Sequence, residues 1–202
     1  MSAAKTDRSA RIERRTGETD VRLSLALEGT GRGTRETGVG FLDHMLDLLA
    51  RHGQLDLEVK VSGDLQTGAH HTAEDTAIVL GQALDAALGD RAGIARYGSA
   101  TVPMDEARAS CAIDLSGRPF TSFEAELPPG STGGFVHELT EEFFRALANA
   151  AKLTLHLRVE AGSNAHHMIE AAFKAFARAL RQAVATDPTE TGVPSTKGTL
   201  TA

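Results

Sequence analysis

Paired cysteines are absent from this 202-residue chain, whose single cysteine is Cys111. An internal disulfide is therefore impossible, and we expect Cys111 to pack in the core of an intracellular, cytoplasmic protein. The formal net charge of −6 argues against a general nucleic-acid binder or a membrane-surface binder. No apolar run approaches the ~18 residues of a transmembrane helix. Residues 1–10 also lack the apolar core of a signal peptide, and we expect them to form a flexible tail.

A five-residue motif, His-His-x-x-Glu, occurs twice in the chain. Neighbouring side chains on a helix point roughly 100° apart, so two adjacent histidines cannot easily bind one metal ion. The second histidine and the glutamate lie on the same helical face. The pattern therefore indicates two metal sites, each receiving ligands from both copies. The copies are His70-His71-Thr72-Ala73-Glu74 and His166-His167-Met168-Ile169-Glu170.

Hydrophobic periodicity predicts one α+β domain made of two similar halves, residues 11–92 and 93–186. Apolar residues at helical spacing predict two helices in each half, and alternating apolar residues predict the strands. Each half would place its amphipathic helices over one face of a mostly antiparallel sheet. The predicted helices are 41–51, 71–88, 138–150 and 166–186, the predicted strands are 11–18, 21–27, 55–61, 97–103, 109–115, 120–125 and 153–159, and a loop is expected at 127–134.

The two halves can be aligned as an internal duplication. One alignment register places His71 on His167 and Glu74 on Glu170. A register that differs by two residues places Asp43-His44 on Glu141-Glu142, with apolar positions kept in phase. The change of register falls in a loop, where an insertion costs little.

Residues 187–202 form a C-terminal tail that is not predicted to be helical. Its composition alone favours a disordered terminus. However, the segment Ser195-Thr196-Lys197-Gly198 offers hydroxyl groups, an ammonium group and accessible backbone N–H groups. These groups suit an anionic ligand, so the tail is also a candidate substrate-binding segment.

Five segments of the chain carry distinctive combinations of glycine, histidine and charged residues. They are Thr37-Gly38-Val39-Gly40-Phe41-Leu42-Asp43-His44-Met45-Leu46, His70-His71-Thr72-Ala73-Glu74-Asp75-Thr76, Asp114-Leu115-Ser116-Gly117-Arg118-Pro119, Ala165-His166-His167-Met168-Ile169-Glu170 and Pro194-Ser195-Thr196-Lys197-Gly198. These segments closely resemble motifs of the imidazoleglycerol-phosphate dehydratase family of histidine biosynthesis. The resemblance runs from about Ile12 to Leu200, and it implies a duplicated α+β fold like that of the second domain of ribosomal protein S5.

The resemblance also implies an activity and an assembly. The substrate would be D-erythro-imidazole-glycerol phosphate, and the products would be imidazole-acetol phosphate and water. Each subunit would carry two Mn²⁺ ions, and the subunits would form a homo-oligomer of 24 chains with active sites at the subunit contacts. No nucleic acid or membrane partner is expected.

Three groups of functional residues follow from the resemblance. Glu18 and Glu170 are the catalytic candidates for proton transfer. The metal ligands would be His44, His70, His71, Glu74, His166, His167 and Glu170, and the internal repeat adds Glu142 as an eighth candidate. The substrate-binding residues would be Glu18, His52, Arg96, Arg118, Lys174, Ser195 and Lys197.

These residue types fit the expected chemistry. The reaction removes a carbon-bound proton next to an imidazole ring, and that proton is scarcely acidic. Metal ions that hold the ring as its anion would let it absorb charge while hydroxide departs, and a carboxylate would move the proton. Histidine and carboxylate ligands without thiolate point to Mn, Fe, Co or Zn, and the abundant carboxylates favour Mn.

The chain departs from the family pattern at one metal ligand. Many family members carry a histidine in the helix before the second motif, at the position that matches His44. Here the internal repeat places Glu142 at that position, and a carboxylate can replace imidazole on a hard divalent ion. Alternatively, Glu142 is a solvated helix residue, and His137 or water supplies the ligand.

Two other functions are compatible with the residues alone. A dinuclear hydrolase of phosphate esters could use the same ligands to activate water. A metal store built like a ferritin bundle would use Glu-x-x-His on long helices, whereas here the order is reversed and strands intervene.

Overall fold

The computed structural model describes residues 8–200, which contain four α-helices and ten β-strands. Both halves of the chain follow the same order of longer elements. The first half contains β1 (Ser9–Arg15), β2 (Thr19–Ala26), β3 (Arg35–Glu36), α1 (Gly40–Gly53), β4 (Asp56–Gly63) and α2 (His70–Leu88). The second half contains β5 (Tyr97–Met104), β6 (Ala107–Asp114), β7 (Phe120–Glu124), β8 (Ser131–Thr132), β9 (Phe135–Val136), α3 (Leu139–Ala150), β10 (Thr154–Ala161) and α4 (Ala165–Ala183).

Each half contributes one four-stranded sheet, and the two sheets have equivalent topologies. Their strand orders are β1-β2-β4-β3 and β5-β6-β10-β7. The pairs are antiparallel except at one edge of each sheet, where β3 runs parallel to β4 and β7 runs parallel to β10. Val21, Leu23 and Leu25 of β2 are buried, because alternate side chains of a strand point to opposite faces. The predicted duplicated α+β architecture is confirmed.

The helices lie between the sheets and pack across the two halves. Helix α2 covers β1 and β2, whereas α4 covers β5 and β6. Helix α1 packs along α4, and α2 packs along α3. The approach of α2 to α3 requires Gly81, because a Cβ there would lie 2.5 Å from the carbonyl oxygen of Leu147. Cross-half packing therefore brings residues of one half next to ligand candidates of the other.

Several predicted boundaries change in the structure. Strand β1 begins at Ser9, so residues 9 and 10 pair with β2 and do not belong to a tail. Residues 1–7 lie outside the described part of the chain. The predicted 127–134 loop contains β8, which pairs with β9 in a short hairpin. Helix α4 ends at Ala183, three residues before the predicted end. Propensity does not specify such ends, which depend on tertiary contacts.

The described part of the C-terminal tail packs against the second half. The N–H of Gly93 donates to the Gly192 carbonyl at 2.8 Å. At the far end, Leu200 is buried, and Arg91 Nη1 donates to its carbonyl oxygen at 3.2 Å. A Cβ on Gly117 would lie 1.6 Å from that oxygen, so only glycine fits there. The disordered terminus favoured by composition is therefore wrong for residues 187–200.

In residues 8–200, no helix is long and apolar enough to cross a membrane. Cys111 is a free, buried cysteine of β6, as expected. Burial raises the pKa of its thiol, so the group stays protonated and packs as a small apolar side chain.

Candidate active site

The packing of α1 on α4 assembles a cluster of three potential metal ligands. His44 lies on α1, and His166 and Glu170 lie on α4. Glu170 Oε2 is 3.4 Å from His44 Nε2 and 3.1 Å from His166 Nε2. One donor atom from each residue lies within 4.8 Å of the others. This set of two imidazoles and one carboxylate suits a divalent transition metal ion.

Glu170 is held as a carboxylate although its side chain is buried. Burial opposes its ionisation, but Lys174 Nζ donates to Oε1 at 2.6 Å and adds a favourable positive charge. With the hydrogen bonds from His44 and His166, these interactions lower the pKa of Glu170 below its usual value. A buried anion therefore faces two imidazole rings, and Lys174 contacts this proposed ligand directly.

His52 lies in the last turn of the same helix α1, on the side near α4. Its pKa is lowered by burial, and the positive charges of Lys174 and Arg178 lower it further. His52 is therefore neutral at pH 7. The two predicted substrate-binding residues His52 and Lys174 thus share one neighbourhood.

The first His-His-x-x-Glu motif begins helix α2, and its two imidazole rings diverge. The rings of His70 and His71 cross at 79°. His70 Nε2 lies 3.7 Å from Glu74 Oε2. His71 turns towards Asp64, whose carboxylate oxygens are both 3.1 Å from Nδ1, and towards Glu18, whose Oε1 is 3.7 Å from Nε2. Glu18, the predicted catalytic residue, is therefore beside a predicted metal ligand.

The second motif repeats this divergence at the start of α4. The rings of His166 and His167 cross at 81°. His166 joins the cluster with His44, whereas His167 turns towards the β5–β6 turn. Its Nδ1 is 2.7 Å from Glu106 Oε2, and its Nε2 is 3.8 Å from Asp105 Oδ2. As expected for adjacent helical residues, the two histidines of each pair do not face one site.

Arg96, a predicted phosphate-binding residue, lies near the other end of α4. Arg96 donates to both carboxylate oxygens of Asp114, from Nε at 2.7 Å and from Nη2 at 3.1 Å. Its Nη1 donates to the carbonyl of Pro194 at 2.7 Å, which places the tail beside it. Arg118 and Lys197 are exposed, and Ser195 is half-buried. The tail is thus positioned to offer Ser195 and Lys197 near Arg96.

The cluster of His44, His166 and Glu170 is well separated from Arg96, a predicted phosphate-binding residue, within one chain. The backbone N–H of Arg96 donates to the carbonyl of Ala183, the last residue of α4. Ala183 follows Glu170 by 13 residues. At about 1.5 Å per residue, roughly 20 Å of helix lies between them. Arg96 and the cluster therefore lie near opposite ends of α4 in a single chain.

Comparison with known proteins identifies the family of this chain. The family model of imidazoleglycerol-phosphate dehydratase matches residues 37–180. The relative of that name from Moorella thermoacetica is 56% identical over 96% of this chain and 98% of its own length. The relative from Symbiobacterium thermophilum is also 56% identical, over 98% and 96% of the two chains.

The chain belongs to the imidazoleglycerol-phosphate dehydratase family. Solved structures agree: the Staphylococcus aureus imidazoleglycerol-phosphate dehydratase superposes with a TM-score of 0.81 at 41% identity, covering 89% of this chain and 99% of the other. The Pyrococcus furiosus structure, in complex with (S)-C348, gives a TM-score of 0.81 at 35% identity, with coverages of 94% and 100%.

The enzyme therefore catalyses the dehydratase step of histidine biosynthesis and acts on a small phosphate-bearing substrate. This family assignment decides against the phosphate-ester hydrolase and the metal store.

At the position where the chain departs from the expected ligand pattern, the structure distinguishes Glu142 from His137. His137 is buried, with Nδ1 2.7 Å from the Pro128 carbonyl and Nε2 3.0 Å from Thr132 Oγ1. Both ring nitrogens therefore have partners within their own loop. Glu142 is half-buried on α3, and among residues 8–200 its side chain has no hydrogen bond or ion pair. The carboxylate of Glu142 is therefore available to bind a metal ion, whereas the ring nitrogens of His137 are not.

Sequence reasoning missed three carboxylates of the site: Asp64, Asp105 and Glu106. Asp64 follows β4 and lies seven residues before His71, and the other two residues form the β5–β6 turn. Adjacent acidic residues in a hairpin turn were a possible signal, but Asp is common in turns because its side chain hydrogen-bonds the local backbone. Only the fold places them against His71 and His167.

Proposed function

We propose that this enzyme carries out its dehydration with two divalent metal ions per subunit, manganese in the cell. The observation that carries the proposal is the cluster of His44, His166 and Glu170, in which a buried carboxylate is kept ionised beside two imidazoles. Bound metal would hold the substrate imidazole as its anion and stabilise the charge left when the carbon-bound proton is removed. The remaining proposed ligands are His70, His71, Glu74, Glu142 and His167.

We propose further that the complete active site forms between subunits. The distance of roughly 20 Å along α4 between Glu170 and the region of Arg96 supports this, because it exceeds the length of the substrate. A second subunit would bring its phosphate-binding residues to the metal ligands of the first. This requirement fits the expected homo-oligomer of 24 chains in the cytoplasm, where Cys111 would remain a free thiol.

Glu18 and Glu170 are the proposed proton-transfer groups. The Glu18 side chain is 56% exposed, and its Oε1 is 3.7 Å from His71 Nε2. It can therefore reach both solvent and a molecule bound beside His71. Glu170 is buried and ionised, so it can accept a proton but exchanges it less easily with water.

The substrate phosphate would bind to Arg96, Arg118, Ser195 and Lys197. Arg96 uses three N–H groups on Asp114 and Pro194. A guanidinium has five N–H groups, so two remain for a phosphate oxygen. Asp114 also fixes the plane of the guanidinium, and a fixed donor pair favours bidentate binding. His52 and Lys174, next to the metal-ligand cluster, would contact the part of the substrate near the ring.

An assay of the purified enzyme tests the proposal. The enzyme is stripped of metal, reloaded with Mn²⁺ and given D-erythro-imidazole-glycerol phosphate, while formation of the keto product is followed. Activity should disappear with chelation and return with Mn²⁺. Full turnover in excess chelator, with no metal detected in the protein, would refute metal dependence. Sedimentation of the same sample measures the number of subunits.

A further inference from the structure

Two histidines of the site share an unassigned feature: a carboxylate bound to Nδ1. Both oxygens of Asp64 are 3.1 Å from His71 Nδ1. Glu106 Oε2 is 2.7 Å from His167 Nδ1. His44, His70 and His166 differ, because each of them approaches a glutamate through Nε2.

Each of the two carboxylates is itself held in place. Asp64 accepts a hydrogen bond from the Thr67 hydroxyl at 3.1 Å. Glu106 Oε1 accepts the backbone N–H groups of Ser163 and Asn164, at 3.2 and 2.9 Å, just before helix α4 begins. That arrangement leaves Oε2 of Glu106 for His167.

A carboxylate on Nδ1 determines what the opposite side of the ring can do. The carboxylate only accepts hydrogen bonds, so Nδ1 carries the proton and donates it. In the neutral ring, Nε2 then has the free lone pair that binds a metal ion. Nε2 of His71 points towards Glu18 at 3.7 Å, and Nε2 of His167 points towards Asp105 at 3.8 Å. In both halves, the metal-binding nitrogen is turned towards another acidic side chain.

We propose that Asp64 and Glu106 are positioning residues that fix the tautomer and the ring orientation of His71 and His167, so that Nε2 of each is presented to a metal ion. This inference rests on the proposed metal dependence. The two carboxylates come from non-equivalent places, one after β4 and one in the β5–β6 turn. The two halves thus reach the same arrangement by different routes, and the internal repeat alone could not reveal it.

The test compares Asp64→Asn and Glu106→Gln with matched controls, Asp56→Asn and Glu160→Gln. The control carboxylates also accept hydrogen bonds from neighbours, but they contact no histidine. Affinity for Mn²⁺ alone is measured on the full-length enzyme by competition with a chelator. Losing a carboxylate that orients a ligand costs ~10–100-fold in metal affinity. We expect that loss in the two test variants and unchanged affinity in the two controls.

Two further measurements separate positioning from general stability. The visible absorption of Co²⁺-loaded enzyme reports ligand geometry and should change in the test variants alone. Thermal unfolding of the metal-free enzyme should differ little between each test variant and its control. Wild-type Mn²⁺ affinity and an unchanged Co²⁺ spectrum in both test variants would overturn the inference. A lower unfolding temperature with an unchanged spectrum at saturating Co²⁺ would assign a structural role and also overturn it.

The failure of the inference is distinguishable from failure of the proposed function. If wild-type enzyme binds no Mn²⁺, the proposed metal dependence fails, and with it the inference. If wild-type enzyme binds Mn²⁺ and the test variants bind it equally well, only the inference fails.

Discussion

Substitution of Glu142 and of His137 should have opposite effects on metal binding and on stability. Glu142 is half-buried on α3, and its side chain has no hydrogen bond or ion pair within residues 8–200. Alanine there removes no hydrogen bond or ion pair from the metal-free enzyme and favours the helix. If Glu142 is a metal ligand, Glu142→Ala should weaken Mn²⁺ binding by at least ~10–100-fold, the loss typical of a supporting residue. A tenfold loss corresponds to about 1.4 kcal/mol.

His137→Ala should instead destabilise the fold and leave metal binding unchanged. Its Nδ1 donates to the Pro128 carbonyl and its Nε2 accepts from the Thr132 hydroxyl, so no lone pair remains for a metal ion. Each hydrogen bond contributes about 1 kcal/mol net, and an orphaned buried partner adds to the loss. We expect ~1–3 kcal/mol of lost stability. At roughly 2–4 °C per kcal/mol for a chain of this size, Tm falls by ~2–12 °C.

Glu141→Ala is the matched control for Glu142→Ala. Glu141 is the preceding residue of α3 and forms an ion pair with Arg145 that is largely exposed. Such pairs contribute about 0–1 kcal/mol, so stability should change little and Mn²⁺ binding not at all. Metal affinity is measured by chelator competition, and Tm is measured on the metal-free enzyme. If His137→Ala weakens Mn²⁺ binding while Glu142→Ala does not, the register of the internal repeat has misled us.

Three further predictions follow from the site. Glu18→Gln keeps the size of the side chain but removes its basic oxygen, so kcat should fall by ~10²–10⁴-fold with metal content retained; near-normal kcat would move the role to Glu170 or to a bound water. Truncation before Pro194 removes Ser195 and Lys197, so KM should rise strongly while Mn²⁺ content stays constant; an unchanged KM would contradict a substrate-binding tail. Glu106 has a pKa lowered to about 2, so its contribution to stability is present above about 4.5 and is lost as the pH falls towards 2. The difference in unfolding free energy between metal-free wild type and Glu106→Gln, measured in urea, should therefore shrink below pH 4.5; a difference that grows would reverse the sign of this reasoning.

The amino-acid pattern by itself specified the local elements and their duplication. Alternation of Val21, Leu23 and Leu25 predicts a strand with one buried face, because residues two apart in a strand share a face. The apolar spacing of α1 and α4 predicts their buried sides in the same way. The doubled His-His-x-x-Glu motif indicated diverging histidines, because neighbouring side chains leave a helix roughly 100° apart. These features depend only on the geometry of neighbouring residues in a strand or helix, so the sequence pattern is enough to predict them.

Only the tertiary structure decided which of these elements meet. His44 and Glu170 are 126 residues apart, and they contact each other because α1 packs on α4 of the other half. Glu106 and His167 are likewise distant in the sequence and contact each other only in the folded chain. Arg91 and Leu200 are a further example, and their hydrogen bond fixes the end of the tail. Periodicity shows that a helix has an apolar face but not which partner covers it. Which helices pack together depends on how closely all the side chains between the two sheets fit. Hydrogen bonds between residues distant in the sequence form only once those helices have packed together.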